Sequence, residues 1–435
     1  MQKGFEKFLG GCVKATIFRD KPIVVAIGGS VGKTSARNAL SLALSGWLSP
    51  DEVRASKKNF NNELGIPLSV FACDAPGRSP FKWLVLLVKG YLYAVGIYKL
   101  KARYLILEMA ADHPGDLDYL LSVAPPQVVI MTAMGAEHTE FFGSVESAVE
   151  EERKMLKAIP PDGEAVLNAD DSLVWESRDL VKAEKVSYGK NPSSVVNIQN
   201  TRLVYDPLYP KEAGLEMELR ILKNRSYYFK LKGVFGEAHA YAIAAAVAFC
   251  ISMDHMSAPA IEYKKDHYSG VAGRTRLIPG IKQTMLLDDS YNAQPQAMEM
   301  AVRELANFPV PPGGRRIAAL GDMLELGSLS QTEHEKIGQL VAQSNIDFLV
   351  CCGKLAAVIG QSAARAGMPQ DRIVYFDKSP EAGLHIQQNI LQKNDVVLIK
   401  GSQGSRMEKI TKELMSDPLL APQLLVHQSP EWLKK

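Results

Sequence analysis

At 435 residues the chain has room for about three domains of roughly 150 residues, most of them large enough to own a hydrophobic core. Its 46% apolar and 23% charged residues exclude wholesale disorder, collagen-like repeats and coiled coils. Fifty Lys and Arg against 48 Asp and Glu leave +2, which excludes a general attraction to nucleic acid or anionic membrane and leaves room only for a local basic patch.

The first residues, MQKGFEKFLGGCVKATIF, are basic but lack a long apolar core and a small-residue cleavage site, so no signal peptide is expected and the mature chain should start here. From Ile23 to Ile27 the β-branched run IVVAI meets a glycine-rich turn. A helical pattern, SARNALSLALSGWL, then runs to about Leu48. The stretch Phe81 to Tyr98, FKWLVLLVKGYLYAVGIY, is long enough to weigh as a membrane span, yet Lys82, Lys89, Gly90 and Gly96 interrupt it. A buried helix is the default expectation there; an interfacial or partner-facing helix is the alternative. YLILEMA (Tyr104 to Ala110) and QVVIMTAM (Gln127 to Met134) flank the helix-like GDLDYLLSV, and such alternation predicts a parallel sheet covered on both faces. Between about Val186 and Gly233 short runs separated by turn residues predict an antiparallel β insertion or edge meander. A helical alanine-rich stretch, AHAYAIAAAVAFCISM, follows. TMLLDDS, RRIAALGDM, FLVCCG, RIVYF and DVVLIKG then predict five strands of a second α/β domain. The expected fold is therefore α/β throughout. Residues 1–272 form a P-loop-type parallel-sheet ATPase domain with a β insertion at about 186–233, and residues 273–435 form a Rossmann-like α/β domain. Five cysteines, none in CxxC or Cys/His ligand spacing, favour a reducing, cytoplasmic compartment and no structural zinc.

The sharpest local signal is Gly28-Gly-Ser-Val-Gly-Lys-Thr-Ser35. Glycines such as Gly29 and Gly32 let backbone N–H groups turn inward around phosphate oxygens, with Ser30 and Ser35 in the same loop. Lys33 can reach the β and γ phosphates, and the Thr34 hydroxyl can meet Mg²⁺. Ile27 stands where the lead glycine of a Walker loop belongs, so the loop is a variant. Its place between a strand and a helix makes it a nucleotide site rather than a plain turn. Glu108 follows YLIL at a strand end, where either a metal ligand or a surface ion pair would sit. His138, past the next strand, reads as a metal ligand or as a loop residue.

Taken together, these segments resemble the Mur ligase family, ATP-dependent ligases that add amino acids or a dipeptide to cell-wall precursors. The resemblance runs from GGSVGKTS through NFNNELGIPLSV (Asn59 to Val70), LEMAADHPGDLDYL, HTEFFGSVESA and VLNADDSLV. It continues through AGRTRLIPG, LLDDSYNAQPQAMEMAV (Leu286 to Val302), LGDMLELG and VVLIKGSQGSRMEKI (Val396 to Ile410). Within the family the chain is most similar to the dipeptide-adding members. The resemblance implies two steps, an acyl phosphate made from ATP and its capture by an amine, for which fixed positive charge should supply much of the catalysis. It implies that Lys33 and Thr34 hold the phosphates and Mg²⁺, and that Glu108 and His138 are metal ligands. It implies too that Asp289, Asn292 and Arg274 meet the nucleotide or phosphate from the second domain, with helix capping and an ion pair as their plainer roles. The implied substrates are a peptide or UDP-sugar-peptide acceptor and D-alanyl-D-alanine or a similar amine, in peptidoglycan synthesis; no nucleic acid is involved.

Three departures qualify the resemblance. The phosphate loop starts only 27 residues into the chain, where the cell-wall members first carry a domain for the acceptor's uridine nucleotide. A separate protein, residues 1–20 with 81–98, or a UDP-free acceptor would then be needed. The family carries a lysine carbamoylated by CO₂ fourteen residues after the motif histidine, and Glu152 stands there; its carboxylate would serve the second Mg²⁺ unmodified as a metal ligand and catalytic residue, or it is part of the solvated run EEERK. Lys154 falls about 200° round the helix from it. The His-Asn pair beside adenine appears as His239-Ala240, which leaves His239 to pack there or to start a helix. Ligase chemistry on another wall peptide, or a non-catalytic nucleotide-binding subunit docked through 81–98, are the alternatives.

Overall fold

The structure, a computed structural model, describes residues 2–56, 64–77, 79–135, 139–221, 225–253 and 268–433. The chain divides into two compact units, one of residues 1–200, 218–228 and 238–267, the other of 201–217, 229–237 and 268–435.

In the first unit the apolar runs become parallel strands because helices cover both of their faces, so side chains of either parity are buried. The strands are β1 (Ile23–Gly28), β2 (Val53–Ala55), β3 (Tyr104–Glu108), β4 (Val128–Met131), β5 (Glu164–Asn168) and β6 (Glu184–Gly189), in the order β2-β3-β1-β4-β5-β6. β1 lies between β3 and β4, with Ile27 opposite Glu108 and Gly28 opposite Met131. The connection direction reverses at β1, and this is where an open α/β sheet forms its ligand crevice. The helix Lys33–Leu44 leaves the loop after β1, and the helix Ala238–Ser252 packs against it. Residues 242–250 of that second helix are all buried, and alanines allow the close approach.

The texture change at about 186 falls inside β6, which pairs in parallel with β5 over five positions. β7 (Val196–Val204) also meets β6 in parallel, at Tyr188 and Gly189, so the first junction of the expected meander is not antiparallel. β8 (Gly214–Ile221) and β9 (Arg225–Lys232) follow it in the sheet order, and the division between units runs through β7, β8 and β9.

The expectation of a buried helix at 81–98 is overturned. Of the helix Pro80–Ala94 only Leu86 and Gly90 are buried, while Phe81, Leu84, Val85, Val88 and Tyr91 are exposed. A helix apolar on every side can cover a neighbour with one side only, and here that neighbour is the helix Gln2–Asp20, through Phe5 against Trp83 (5.8 Å) and Leu9 against Gly90. Among the described residues no helix is long and apolar enough to cross a membrane.

The second unit contains a separate six-stranded sheet in the order β10-β11-β15-β12-β13-β14. β11 (Met285–Asp289), β12 (Arg316–Gly321), β13 (Phe348–Cys352), β14 (Ile373–Phe376) and β15 (Val396–Lys400) are the five expected strands, and they are parallel. The sixth, β10 (Arg276–Pro279), is antiparallel to β11. Two apolar cores lie on the two faces. Met285 and Leu287 belong to one and Leu286 to the other, as alternation along β11 requires. None of the five cysteines forms a disulfide.

Candidate active site

The loop after β1 is shaped by backbone demands that only glycine meets. Gly29 has φ +116°, and a Cβ there would lie 2.4 Å from both the Ala133 carbonyl and the Thr132 Oγ1. Ser30 N donates to the Ala133 carbonyl (2.7 Å), and Thr132 Oγ1 donates to the Gly28 carbonyl (3.0 Å), so the loop is tied to the end of β4. Gly32, left-handed at φ +93°, starts the helix Lys33–Leu44 without a side-chain cap. The first N–H groups of that twelve-residue helix form a positive helix end suited to an anion. Lys33 Nζ folds back to donate to the Gly29 carbonyl.

Glu108 ends β3 next to this loop and is 2% exposed. Thr34 Oγ1 donates to its Oε2 at 3.0 Å, while Arg37 Nη1 lies 2.8 Å from Oε1. The surface ion pair considered for Glu108 is thus a buried one. Oε1 holds Arg37 at ion-pair distance but outside hydrogen-bond geometry, which leaves a buried oxygen with unused acceptor capacity. Arg37, three residues after Thr34 and so on the same helix face, was not among the expected site residues. A cation at that spacing behind the loop was the available signal.

Glu152 is not part of a solvated run. It sits partly buried on the helix Val145–Lys157, and its Oε2 accepts the Gly29 N–H at 3.1 Å. Its neighbours face elsewhere. Glu151 Oε1 accepts the N–H groups of Gly115 and Leu117 (3.1 Å each) at the start of the helix Asp116–Val123, and Lys154 pairs with Asp118 (2.6 Å) and Glu151 (2.8 Å). Lys154 therefore points away from the loop, as the helical period requires. His138 and the segment 59–63 lie outside the described residues. His239 is fully buried in the helix Ala238–Ser252 and offers no open surface.

In the second unit Asp289 closes β11, buried and bound on both oxygens. Thr275 N donates to Oδ1 (3.1 Å), and Lys400 Nζ to Oδ2 (2.5 Å). Lys400, directly opposite Asp289 across the β11–β15 ladder and 2% exposed, also donates to the Asn292 carbonyl (3.0 Å). Lys400 too was missed, although a lysine ending the apolar run VVLIK beside a strand ending in Asp-Asp was a legible signal. The Asn292 side chain is exposed. Arg274 lies over the Tyr291 ring at 4.6 Å, a cation–π contact rather than an ion pair. The preceding Asp288 is fully buried. Burial pushes its carboxyl up to about 6, against the opposing hydrogen bond from Thr411 (2.7 Å).

The loop's residues fit a magnesium nucleotide. Mg²⁺ is usually held by one or two carboxylates plus substrate phosphates, and Thr34 and Glu108 bring hard oxygens to the positive helix end where phosphates would lie. Among the described residues no cluster of three or more His, Cys, Asp or Glu is gathered as a protein-only metal cage.

Comparison with known proteins agrees with this arrangement. Residues 91–250 match the Mur ligase middle domain, and residues 273–403 match the Mur ligase glutamate ligase domain, together about two-thirds of the chain. UDP-N-acetylmuramoyl-tripeptide--D-alanyl-D-alanine ligase of Bacillus subtilis is 25% identical over 397 residues, covering 91% of this chain and 76% of that protein. Its Escherichia coli counterpart is 27% identical over 91% of this chain and 77% of its own length. A crystal structure of MurF from Acinetobacter baumannii shares the fold with a TM-score of 0.74 at 24% identity, over 94% of this chain and 80% of that one. MurF ligase from Thermotoga maritima, solved in complex with ADP, gives 0.72 at 22% identity, over 94% and 83%. Two domain matches in the family's order, on the fold its solved members share, show that the chain belongs to the Mur ligase family.

Proposed function

We propose that the chain is an ATP-dependent, ADP-forming amide ligase that joins D-alanyl-D-alanine to the peptide carboxylate of a UDP-N-acetylmuramoyl tripeptide. The observation that carries the reading is the phosphate loop, its Thr34 bonded to the buried strand-end Glu108, in a chain 25–27% identical to ligases of that name. The acceptor carboxylate attacks the γ-phosphorus, ADP leaves, and the amine displaces phosphate from the acyl carbon as it loses a proton. Both steps concentrate negative charge, and the start of the helix Lys33–Leu44 and the Lys33 ammonium oppose it.

Thr34 and Glu108, with His138 by motif position, would hold Mg²⁺, which supplies charge neutralisation when bound. Arg37 keeps the Glu108 carboxylate aimed, and Glu152, whose Oε2 meets the Gly29 N–H, would offer its carboxylate to a second Mg²⁺ in place of the family's modified lysine. The second half of the chain, 273–435 in this reading, offers Asp289, Arg274 and Asn292 to nucleotide or phosphate. The reaction is cytoplasmic, in line with unpaired cysteines.

The test is phosphate release from ATP and Mg²⁺ with the UDP-linked tripeptide and D-alanyl-D-alanine, with Lys33→Ala as control and a UDP-free acceptor alongside. Release that needs both substrates and Lys33, with the new amide seen by mass spectrometry, is the expected result. Turnover of the UDP-free acceptor alone would replace the substrate in this reading, and ATP binding without turnover on any acceptor would overturn it.

A further inference from the structure

The helix Pro80–Ala94 and the turn after it expose an apolar face that the ligase reading does not use. Phe81, Leu84, Val85, Val88, Tyr91, Val95, Ile97 and Tyr98 are each 45–72% exposed. From 81 to 95 they recur at intervals of one to four residues, along the side opposite Leu86 and Gly90. A soluble surface seldom leaves such a row uncovered.

Charge identifies what covers it. Residues 80–103 contain Lys82, Lys89, Lys99, Lys101 and Arg103 and no Asp or Glu, in a chain whose charges otherwise nearly cancel. Lys101 has only a surface contact with Asp51 at 3.7 Å, both side chains being 76% exposed. The helix Gln2–Asp20 packs beside this one and repeats the pattern. Among its described side chains the exposed positions are Gly4, Lys7, Phe8, Gly11, Lys14, Ala15 and Phe18, with no acid among them. Arg19 Nη1 ties the two helices together by donating to the Tyr93 carbonyl and to the Ala94 carbonyl (3.2 Å).

Lysines beside exposed aromatic and aliphatic side chains suit a helix lying in the plane of an anionic lipid surface, with the apolar row in the acyl boundary and the ammonium groups among headgroup phosphates. A second copy of the chain fits poorly, because a two-fold contact would set this basic face against itself. We propose that the paired helices Gln2–Asp20 and Pro80–Ala94 dock the protein on the surface of an anionic bilayer. The proposal does not depend on the ligase reading.

The test is flotation of the full chain with vesicles of phosphatidylcholine alone or with 30 mol% phosphatidylglycerol, at low and high salt. Binding at least tenfold tighter to the anionic vesicles and weakened by salt is expected. It should fall at least tenfold in a Leu84→Ser/Val88→Ser variant, and again in a Lys82→Glu/Lys99→Glu variant, with thermal unfolding unchanged in both. Equal binding to both vesicles, or binding to neither, would overturn it. So would a dimer in sedimentation that Leu84→Ser/Val88→Ser dissolves.

Discussion

Glu108 and Asp289 occupy equivalent places in two different sheets. Each is the last residue of a parallel strand, each is buried, and each is ion-paired with a cation, Arg37 at 2.8 Å and Lys400 at 2.5 Å. The cations come from different sources. Lys400 is the cross-strand register partner of Asp289, fixed by the ladder itself and further bound to the Asn292 carbonyl. Arg37 comes from the helix that starts at the phosphate loop, one turn past Thr34, and Glu108 keeps an oxygen with unused acceptor capacity. The first carboxylate is therefore coupled to the loop that meets phosphate. The second carboxylate is bound on both oxygens within its own unit, by Thr275 N and by Lys400, so its local bonds hold the β11 end in place.

The largest expected effects test that contrast on the first carboxylate. Thr34→Ala and Glu108→Gln should each lower kcat for phosphate release by roughly a hundredfold to a thousandfold, the range for removing one fixed group from a charge-stabilising site. Chemical denaturation should show Thr34→Ala still folded. If both variants kept wild-type turnover, the coupling between strand end and loop would have no catalytic meaning.

Lys400→Met should show the opposite profile. Removing one partner of a buried ion pair leaves the other charge uncompensated and costs about 3–5 kcal/mol, read as a drop in the urea-unfolding free energy. An Asp289→Asn/Lys400→Met double variant should recover much of that loss, because neither charge remains. Failure to recover would mean that the Lys400 bonds to the turn, rather than the pair, hold the second unit together.

Asp288 sharpens the comparison further, since it is a carboxyl beside Asp289 with no lysine. Its folded value is about 6, raised by burial, so below that pH the folded state binds a proton that the unfolded chain releases near 4. The contribution to stability is full below about pH 4, falls as pH rises through 6, and leaves a penalty of roughly 3 kcal/mol above it. Asp288→Asn keeps a neutral hydrogen-bonding group beside Thr411 and removes the titration. The difference in unfolding free energy between variant and wild type should therefore grow in the variant's favour from pH 4 to pH 7. A flat difference would show Asp288 ionising as an ordinary surface carboxylate.

Much of this was legible in the residues. Apolar runs with buried side chains on both faces became the parallel strands, and glycine spacing placed the phosphate loop between β1 and its helix. What escaped depended on partners distant in sequence. Lys400 acquires its meaning only when β15 is set in register with β11, 111 residues away, and Glu151 only when its helix reaches the Asp116–Val123 N-terminus. The four-residue β10 was too short for a periodicity to register. At 81–98 hydrophobicity predicted burial, but composition does not say how much of a helix its neighbours can cover. His239, expected either to pack beside adenine or to be an ordinary residue at a helix start, is enclosed in its helix, which is apolar on nearly every side.

The smallest expected effect concerns Glu152, whose Oε2 accepts the N–H of Gly29 in the phosphate loop. A hydrogen bond to a charged acceptor is worth about 1.5–3 kcal/mol of stability, so Glu152→Ala should lower the unfolding free energy by up to that amount and, by loosening the Gly29 turn, lower kcat by roughly tenfold to a hundredfold. Because a carboxylate needs no carbamoylation, wild-type activity should be indifferent to the removal of CO₂ and bicarbonate. Glu152→Lys should make the enzyme respond to bicarbonate, with activity restored as the lysine is carbamoylated. If wild-type activity itself fell on CO₂ removal, a lysine elsewhere in the chain would carry the carbamate, and Glu152 would be left with shaping the Gly29 turn as its whole role.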